Sequence, residues 1–205
     1  MPSFNLKEPA VPFGSWVVVS GACGFIGSHV VDQLLKAGYR VRETTRDSGK
    51  NEWAAQYFNK VHGSGSFELV EVPGMTASGA FNNAVTAAQG FIHVANDMTG
   101  SQDTDIAINR AVKGALNALE ACAQEKSAKR FVYTSSSFAA TQPKPGEVFT
   151  IYHDTFNEEA MLNAWKPKPD PETVYSASKV EVEHQIAAWI KNNKSTLVIN
   201  TGNKL

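Results

Sequence analysis

Short apolar runs alternate along this chain with stretches in which apolar residues recur every three or four positions. Trp16-Val-Val-Val19 is an apolar run closed by Ser20-Gly21, the pattern of a strand buried on both faces. Ile26, Val30, Leu34 and Leu35 then recur at helical spacing. Gly38 supplies the stop, because glycine readily takes the left-handed conformation just past a helix. Residues 39–45 read as a second strand, and 67–72, 91–95, 131–135 and 196–200 as four more. Helices are expected over 80–88, 104–123 and 174–191. Strand, helix, strand repeated this way predicts an α/β fold, a doubly wound parallel sheet with helices on both faces. The stretch 141–171 holds Pro143, Pro145, Pro167, Pro169 and Pro171 and reads as a long irregular loop. No repeat or low-complexity tract interrupts the pattern, so residues 1–205 are expected to form one domain.

Composition narrows the classes. The formal net charge is −1, from 19 basic and 20 acidic residues, so no bulk attraction to nucleic acid or to an anionic membrane is expected. No apolar run approaches the length of a membrane span. The first twelve residues carry Lys7 and Glu8 and no apolar core of a secretory signal. Two cysteines, Cys23 and Cys122, read as free thiols of a reducing compartment, which makes a cytoplasmic location the expectation. Without a signal, the glycosylation pattern at Asn193-Lys-Ser195 reads as chance. No cysteine–histidine cluster has metal-ligand spacing, so no metal is expected.

The first chemistry lies between the first strand and the first helix, in Gly21-Ala-Cys-Gly24-Phe-Ile-Gly27. Gly21 permits a tight turn, Gly24 lets the backbone approach a pyrophosphate, and Gly27 permits close helix packing. The backbone N–H groups at Phe25 and Ile26 open the helix and favour an anion. Glycines also mark plain turns, but here they follow a strand and start a helix, as a dinucleotide site requires. The second strand ends Thr44-Thr45-Arg46-Asp47, with Lys50 four residues past Arg46. A cation at that point suits the 2′-phosphate of NADP, whereas an acid would suit the ribose of NAD. Arg46 can grip a phosphate with two donors and Lys50 adds a point charge, so NADP(H) is the expected cofactor. A carboxylate of Asp47 turned inward would oppose it.

Tyr175-Ser-Ala-Ser-Lys179 places a phenol and an ammonium four residues apart on one helix face. A nearby ammonium stabilises a phenolate and fits a tyrosine for proton transfer. The fifth strand ends Tyr133-Thr-Ser-Ser-Ser137, and a hydroxyl at such a strand end faces the ligand crevice and can hold a carbonyl oxygen. Ser136 is the favoured residue, with Ser135 and Ser137 as register alternatives.

The spacing GxxGxxG resembles the short-chain dehydrogenase/reductase superfamily, and Gly21 to His29 looks most like its extended branch, the epimerase/dehydratase family. Residues 11–201 resemble the NADPH-dependent aldehyde and ketone reductases of that branch, dihydroflavonol reductases among them. The likeness rests on Phe131-Val-Tyr-Thr-Ser-Ser136, Tyr175-Ser-Ala-Ser-Lys179, Asn109-Arg-Ala-Val-Lys-Gly-Ala-Leu-Asn117 and Gly90-Phe-Ile-His-Val-Ala95. It implies a Rossmann-type fold and a triad of Ser136, Tyr175 and Lys179 supported by Asn109. Hydride would pass from NADPH to the carbonyl of a small molecule, with Tyr175 as proton donor. It also implies that Met75, Val94, Ala95, Thr134, Tyr175 and Lys179 border the cofactor. Gly74 stands where the family has an acid facing the adenine, Asn96 replaces a serine, and His93 reads as structural. Family members continue past residue 205 into a lobe that builds the substrate pocket. The expectation is therefore a chain that binds NADP(H) weakly and reduces carbonyls poorly or not at all, as monomer or dimer. The same scaffold also serves sugar epimerases, dehydratases and hydroxysteroid dehydrogenases, and a non-catalytic nucleotide-binding role is the alternative from another class.

Overall fold

The six expected strands form, as β1 (Trp16–Ser20), β2 (Arg40–Thr45), β3 (Phe67–Glu71), β4 (Gly90–His93), β5 (Arg130–Thr134) and β6 (Val198–Gly202), the last starting two residues later than the expected 196. The computed structural model describes residues 8–96 and 103–202, so both ends of the expected 1–205 domain lie outside the described residues. Between the strands run α1 (Phe25–Lys36), α2 (Glu52–His62), α3 (Asn82–Val85), α4 (Thr104–Gln124), α5 (Glu158–Asn163) and α6 (Pro171–Asn192). The strands pair in parallel in the order β3-β2-β1-β4-β5-β6. The chain builds outward from β1 through β3, then crosses back to add β4 on the other side. The point between β1 and β4 is thus the switch point at which doubly wound sheets bind ligands.

Contacts divide the chain into two compact units, 1–95 with 117–133 and 196–200, and 96–116 with 134–195 and 201–205. In the first, Val17, Val19 and Val41 alternate onto one face of the sheet and pack with Val31 and Leu35 of α1 and with Ala54 and Phe58 of α2. The opposite face carries a chain of ring contacts, Phe81–Phe91, Phe91–Phe131 and His93–Tyr133, at 5.4, 5.7 and 6.2 Å between centroids. Gly38 ends α1 with φ 87°, its N–H donating to Leu35 O while Tyr39 N–H reaches Leu34 O, both at 3.0 Å. Beside α1, Phe25, Ile26, Val30, Leu34 and Ile92 line an open apolar groove of about 520 Å³.

The second unit corrects the reading of 141–171 as one irregular loop, because α5 forms inside it. Asn157 starts that helix by accepting from Ala160 N–H at 3.1 Å. Ile108 of α4, Ala164 after α5 and Ala177 of α6 share a small core. Helix α6 starts three residues before the expected 174. Asp170 caps it, its Oδ1 accepting from Thr173 N–H at 2.9 Å, and Pro171 takes the first position, where no N–H is needed. Helix α2 was also absent from the sequence expectations. Among the described residues no helix is long and apolar enough to cross a membrane.

Candidate functional site

The glycine turn leaves β1 at the switch point and opens α1. Gly21 has φ 73°, in the left-handed region, and a Cβ there would lie 3.0 Å from Ala95 N. A Cβ on Gly27 would lie 2.2 Å from Gly21 O and 2.6 Å from Ala22 Cα. Gly27 is therefore needed for α1 to seat on the turn itself, closer in than packing on the sheet requires. Gly24 is the N-cap of α1 and offers no side chain to the first-turn N–H groups, and that turn carries no acid. Phe25, Ile26 and Gly27 begin the helix, so their N–H groups have no intrahelical carbonyl partner. With the positive dipole end, they suit the pyrophosphate of a dinucleotide.

Ser20, the last residue of β1, ties the turn to β4. Its hydroxyl oxygen accepts from the N–H groups of Val94 and Ala95, both at 3.1 Å, and lies 2.8 Å from His93 Nδ1. With both lone pairs engaged, the hydroxyl proton points at His93 Nδ1, which places the ring proton on Nε2. His93 is buried among Phe81, Phe91 and Tyr133, a structural position. Val94 and Ala95 are thus fixed beside Gly21.

At the end of β2, Arg46 is exposed, and among the described residues no ion pair or hydrogen bond engages its guanidinium. Asp47 turns away from it: its Oδ1 accepts from Lys50 N–H at 3.0 Å and its Oδ2 lies 3.4 Å from Lys50 Nζ. The Lys50 backbone N–H, ahead of the Lys50 ammonium, holds the Asp47 carboxyl below the usual carboxylate range. The loop is drawn in further by Asn51, whose Nδ2 donates to Thr45 Oγ1 at 2.6 Å and to Asp47 O at 3.2 Å. Past β3, Met75 O accepts from Asn117 Nδ2 at 2.9 Å. A Cβ on neighbouring Gly74 would meet nothing within 4 Å, so an acid would have room there.

In the second unit, Tyr175 and Lys179 stand one turn apart on α6. Lys179 is buried, and its Nζ donates to Thr134 O at 3.0 Å while lying 5.8 Å from the centre of the Tyr175 ring. Burial pulls the ammonium down to about 8, and the charge of Glu183 works in the other direction. Tyr175 is half-buried, with Phe138 edge-on at 6.4 Å. Ser136 is half-buried and caps the short 3₁₀ turn Ser137–Ala139, its Oγ accepting from Phe138 N–H at 3.2 Å. Ser135 is buried and gives its hydroxyl to Glu183, and Ser137 is exposed. Of the three serines, Ser136 alone combines partial exposure with a fixed hydroxyl. Asn109 lies in the second turn of α4, exposed.

Two residues in these surroundings escaped the sequence reading. Glu183 continues the 175, 179 series by one more turn, a spacing legible in the sequence. Glu43 faces the core from β2, between Val41 and Thr45, and accepts from Cys23 N–H at 2.8 Å and from Cys23 Sγ at 3.3 Å. Burial, then the hydrogen bond to Glu43 and its charge, push the Cys23 thiol up to about 12, so it stays a thiol. Strand alternation could have flagged Glu43, because a charge at a core-facing position needs a partner. Among the described residues no group of three His, Cys, Asp or Glu could hold a metal ion.

Known proteins resemble this chain in sequence and in fold. The chain is 39% identical over 201 residues to the NAD-dependent epimerase/dehydratase terH of Aspergillus terreus, covering 96% of this chain and 59% of that protein. It is 40% identical over 209 residues to aldehyde reductase 2 of Sporidiobolus salmonicolor, covering 96% and 58%. The crystal structure of Gre2 from Candida albicans in complex with NADPH superposes with a TM-score of 0.81 at 28% identity, over 93% of this chain and 56% of that one. The chain thus spans just under three fifths of the length of these relatives. Residues 17–203 match the description of the NAD dependent epimerase/dehydratase family, and the chain belongs to that family.

Proposed function

We propose that this chain is the cofactor-binding and proton-transfer part of an NADPH-dependent aldehyde or ketone reductase. The observation that carries the reading is the arrangement in the second unit, where α6 holds Lys179 buried beside the Tyr175 ring and against Thr134 O. Ser136, Tyr175 and Lys179 are the catalytic residues in this reading. NADPH, when bound, supplies the hydride. The Ser136 hydroxyl donates to the carbonyl oxygen of the substrate and orients it. Tyr175 gives that oxygen its proton as negative charge develops there. The Lys179 ammonium stabilises the phenolate left behind, and it is available mainly below pH 8, where it keeps its charge. Asn109 has a supporting role at most, since its side chain is exposed.

The first-turn N–H groups at Phe25 and Ile26 receive the pyrophosphate, with Met75, Val94 and Ala95 of the same unit bordering the cofactor. Arg46 and Lys50 receive the 2′-phosphate. Asp47 does not stand against this, because its carboxylate is engaged by Lys50. A free Arg46 favours the reductase reading over an NAD-dependent epimerase on the same scaffold. The relatives add support: one is an aldehyde reductase, and a structural neighbour is complexed with NADPH.

Calorimetric titration of NADPH and NADH into the purified chain tests this. NADPH is expected to bind more tightly than NADH. Arg46→Ala should remove that preference, and Tyr175→Phe should keep NADPH binding while losing carbonyl-dependent NADPH oxidation. Equal affinity for both nucleotides, unchanged in Arg46→Ala, would overturn the cofactor assignment.

A further inference from the structure

Glu43 breaks the pattern of its own strand. The alternation of β2 directs Val41, Glu43 and Thr45 to one face, and Val41 belongs to the apolar core beneath α1 and α2. Glu43 pairs in register with Val19, another member of that core, and is 1% exposed. A carboxylate in such a place is costly unless its oxygens are satisfied. Both are satisfied from one residue. Oε1 accepts from Cys23 N–H at 2.8 Å and Oε2 from Cys23 Sγ at 3.3 Å.

Cys23 lies in the middle of the glycine turn, twenty positions away in sequence. The turn's own backbone bond, Gly24 N–H to Gly21 O at 3.1 Å, closes the loop around Cys23 but leaves the Cys23 N–H without a main-chain partner. Glu43 supplies that partner from the strand below. Local rules of patterning give way mostly where function requires it.

We propose that Glu43 is a positioning residue of the dinucleotide turn: its buried carboxylate grips the amide and thiol of Cys23 and fixes the path of residues 21–24 for a pyrophosphate. This rests on the NADP(H) reading above. Glu43 does not touch the cofactor in this account. It acts through Cys23, by holding the turn in the bound form before the nucleotide arrives.

Three variants separate this role from simple filling of the core. Glu43→Gln keeps an acceptor for the Cys23 N–H, Glu43→Met keeps volume without one, and Glu43→Ala keeps neither. Two readouts are taken on each: NADPH affinity by fluorescence titration, and hydrogen exchange of the peptide amides at 21–27 without nucleotide. Glu43→Gln is expected to match the parent within about twofold in both. Glu43→Met is expected to melt near the parent temperature, yet to bind NADPH about tenfold more weakly and to exchange the turn amides faster, as leaving the Cys23 N–H without an acceptor implies. Parent-like affinity and exchange in Glu43→Met would overturn the proposal. If the parent chain bound no NADPH, the cofactor reading would fall, and exchange would still decide this one. Faster exchange in Glu43→Met, restored in Glu43→Gln, supports it, and equal exchange in all variants refutes it.

Discussion

Single residues at the turn are fixed by distances that leave no slack. The Cβ missing from Gly27 would sit 2.2 Å from Gly21 O and 2.6 Å from Ala22 Cα, both backbone atoms that cannot move without shifting β1 or α1. Gly27→Ala should therefore displace the start of α1 and cost about 1–3 kcal/mol, as overpacking of a close site does. Its NADPH affinity should fall by more than its stability, because the displaced N–H groups are those that face the pyrophosphate. Thermal melts beside nucleotide titration check this, and unchanged binding in a folded Gly27→Ala would show that the turn is not the phosphate site. The glycine spacing was legible in the sequence, but its reason was only half so. Spacing announces a close approach, and only coordinates say that the close neighbour is the turn's own carbonyl. Glu43 was only half legible for a related cause, since alternation sets it on the core-facing side of β2 but does not name its neighbour. An acid in a strand reads as a surface residue until the register shows Val19 beside it.

Elements were legible in proportion to their local signals. Strands β1 and β4 announced themselves as short apolar runs, since a parallel strand covered on both faces has little polar alternation to blur it, whereas β2 carries polar residues along its length and β6 is largely exposed. Helix α2 was missed because its buried residues are only Ala54 and Phe58, too sparse for a visible stripe. Helix α5 was missed because prolines surround it, although Asn157 before Glu158-Glu159 is a start signal in plain view. The start of α6 was placed late for the same reason: Pro171 read as a loop residue when it is the first residue of the helix. The cap matters to the chemistry, because Tyr175 lies in the second turn after it. Asp170 accepts from both Thr173 N–H and Thr173 Oγ1, at 2.9 and 2.7 Å. Asp170→Ala should cost about 1 kcal/mol and loosen the first turn of α6. Urea unfolding should register the loss, and an unchanged midpoint would mean that Pro171 and the packing of Val174 hold the turn unaided. The hydrogen bonds from Thr173 keep the Asp170 carboxyl low, so the cap contributes above the unfolded carboxylate range and fades as pH falls through the folded value.

At the scale of the whole molecule, the proposed proton-transfer group leaves its mark on stability. Lys179 is charged in the unfolded chain up to its ordinary value of 10.5, but burial lowers it to about 8 in the fold. Between those two values the unfolded state binds more protons than the folded state, so the free energy of unfolding rises with pH across that window. Below pH 8 the fold carries the full cost of a buried ammonium, relieved in part by Glu183 and by Thr134 O. The gain on passing from pH 8 to above 10.5 amounts to about 3 kcal/mol. Cys23 and Cys122 act in the opposite sense. Both thiols are raised to about 12 by burial first, so the fold holds protons that the unfolded chain releases above the ordinary value of 9.0, and stability falls there. The parent profile alone would mix the two effects. Subtracting the profile of Lys179→Met removes the thiols, which are common to both proteins. Urea midpoints measured from pH 7 upward should give a difference curve that climbs in favour of the parent between pH 8 and 10.5 and is flat below. Parallel profiles would mean that Lys179 keeps its solution affinity for the proton, and that its burial beside Thr134 does not tune the group proposed to assist Tyr175.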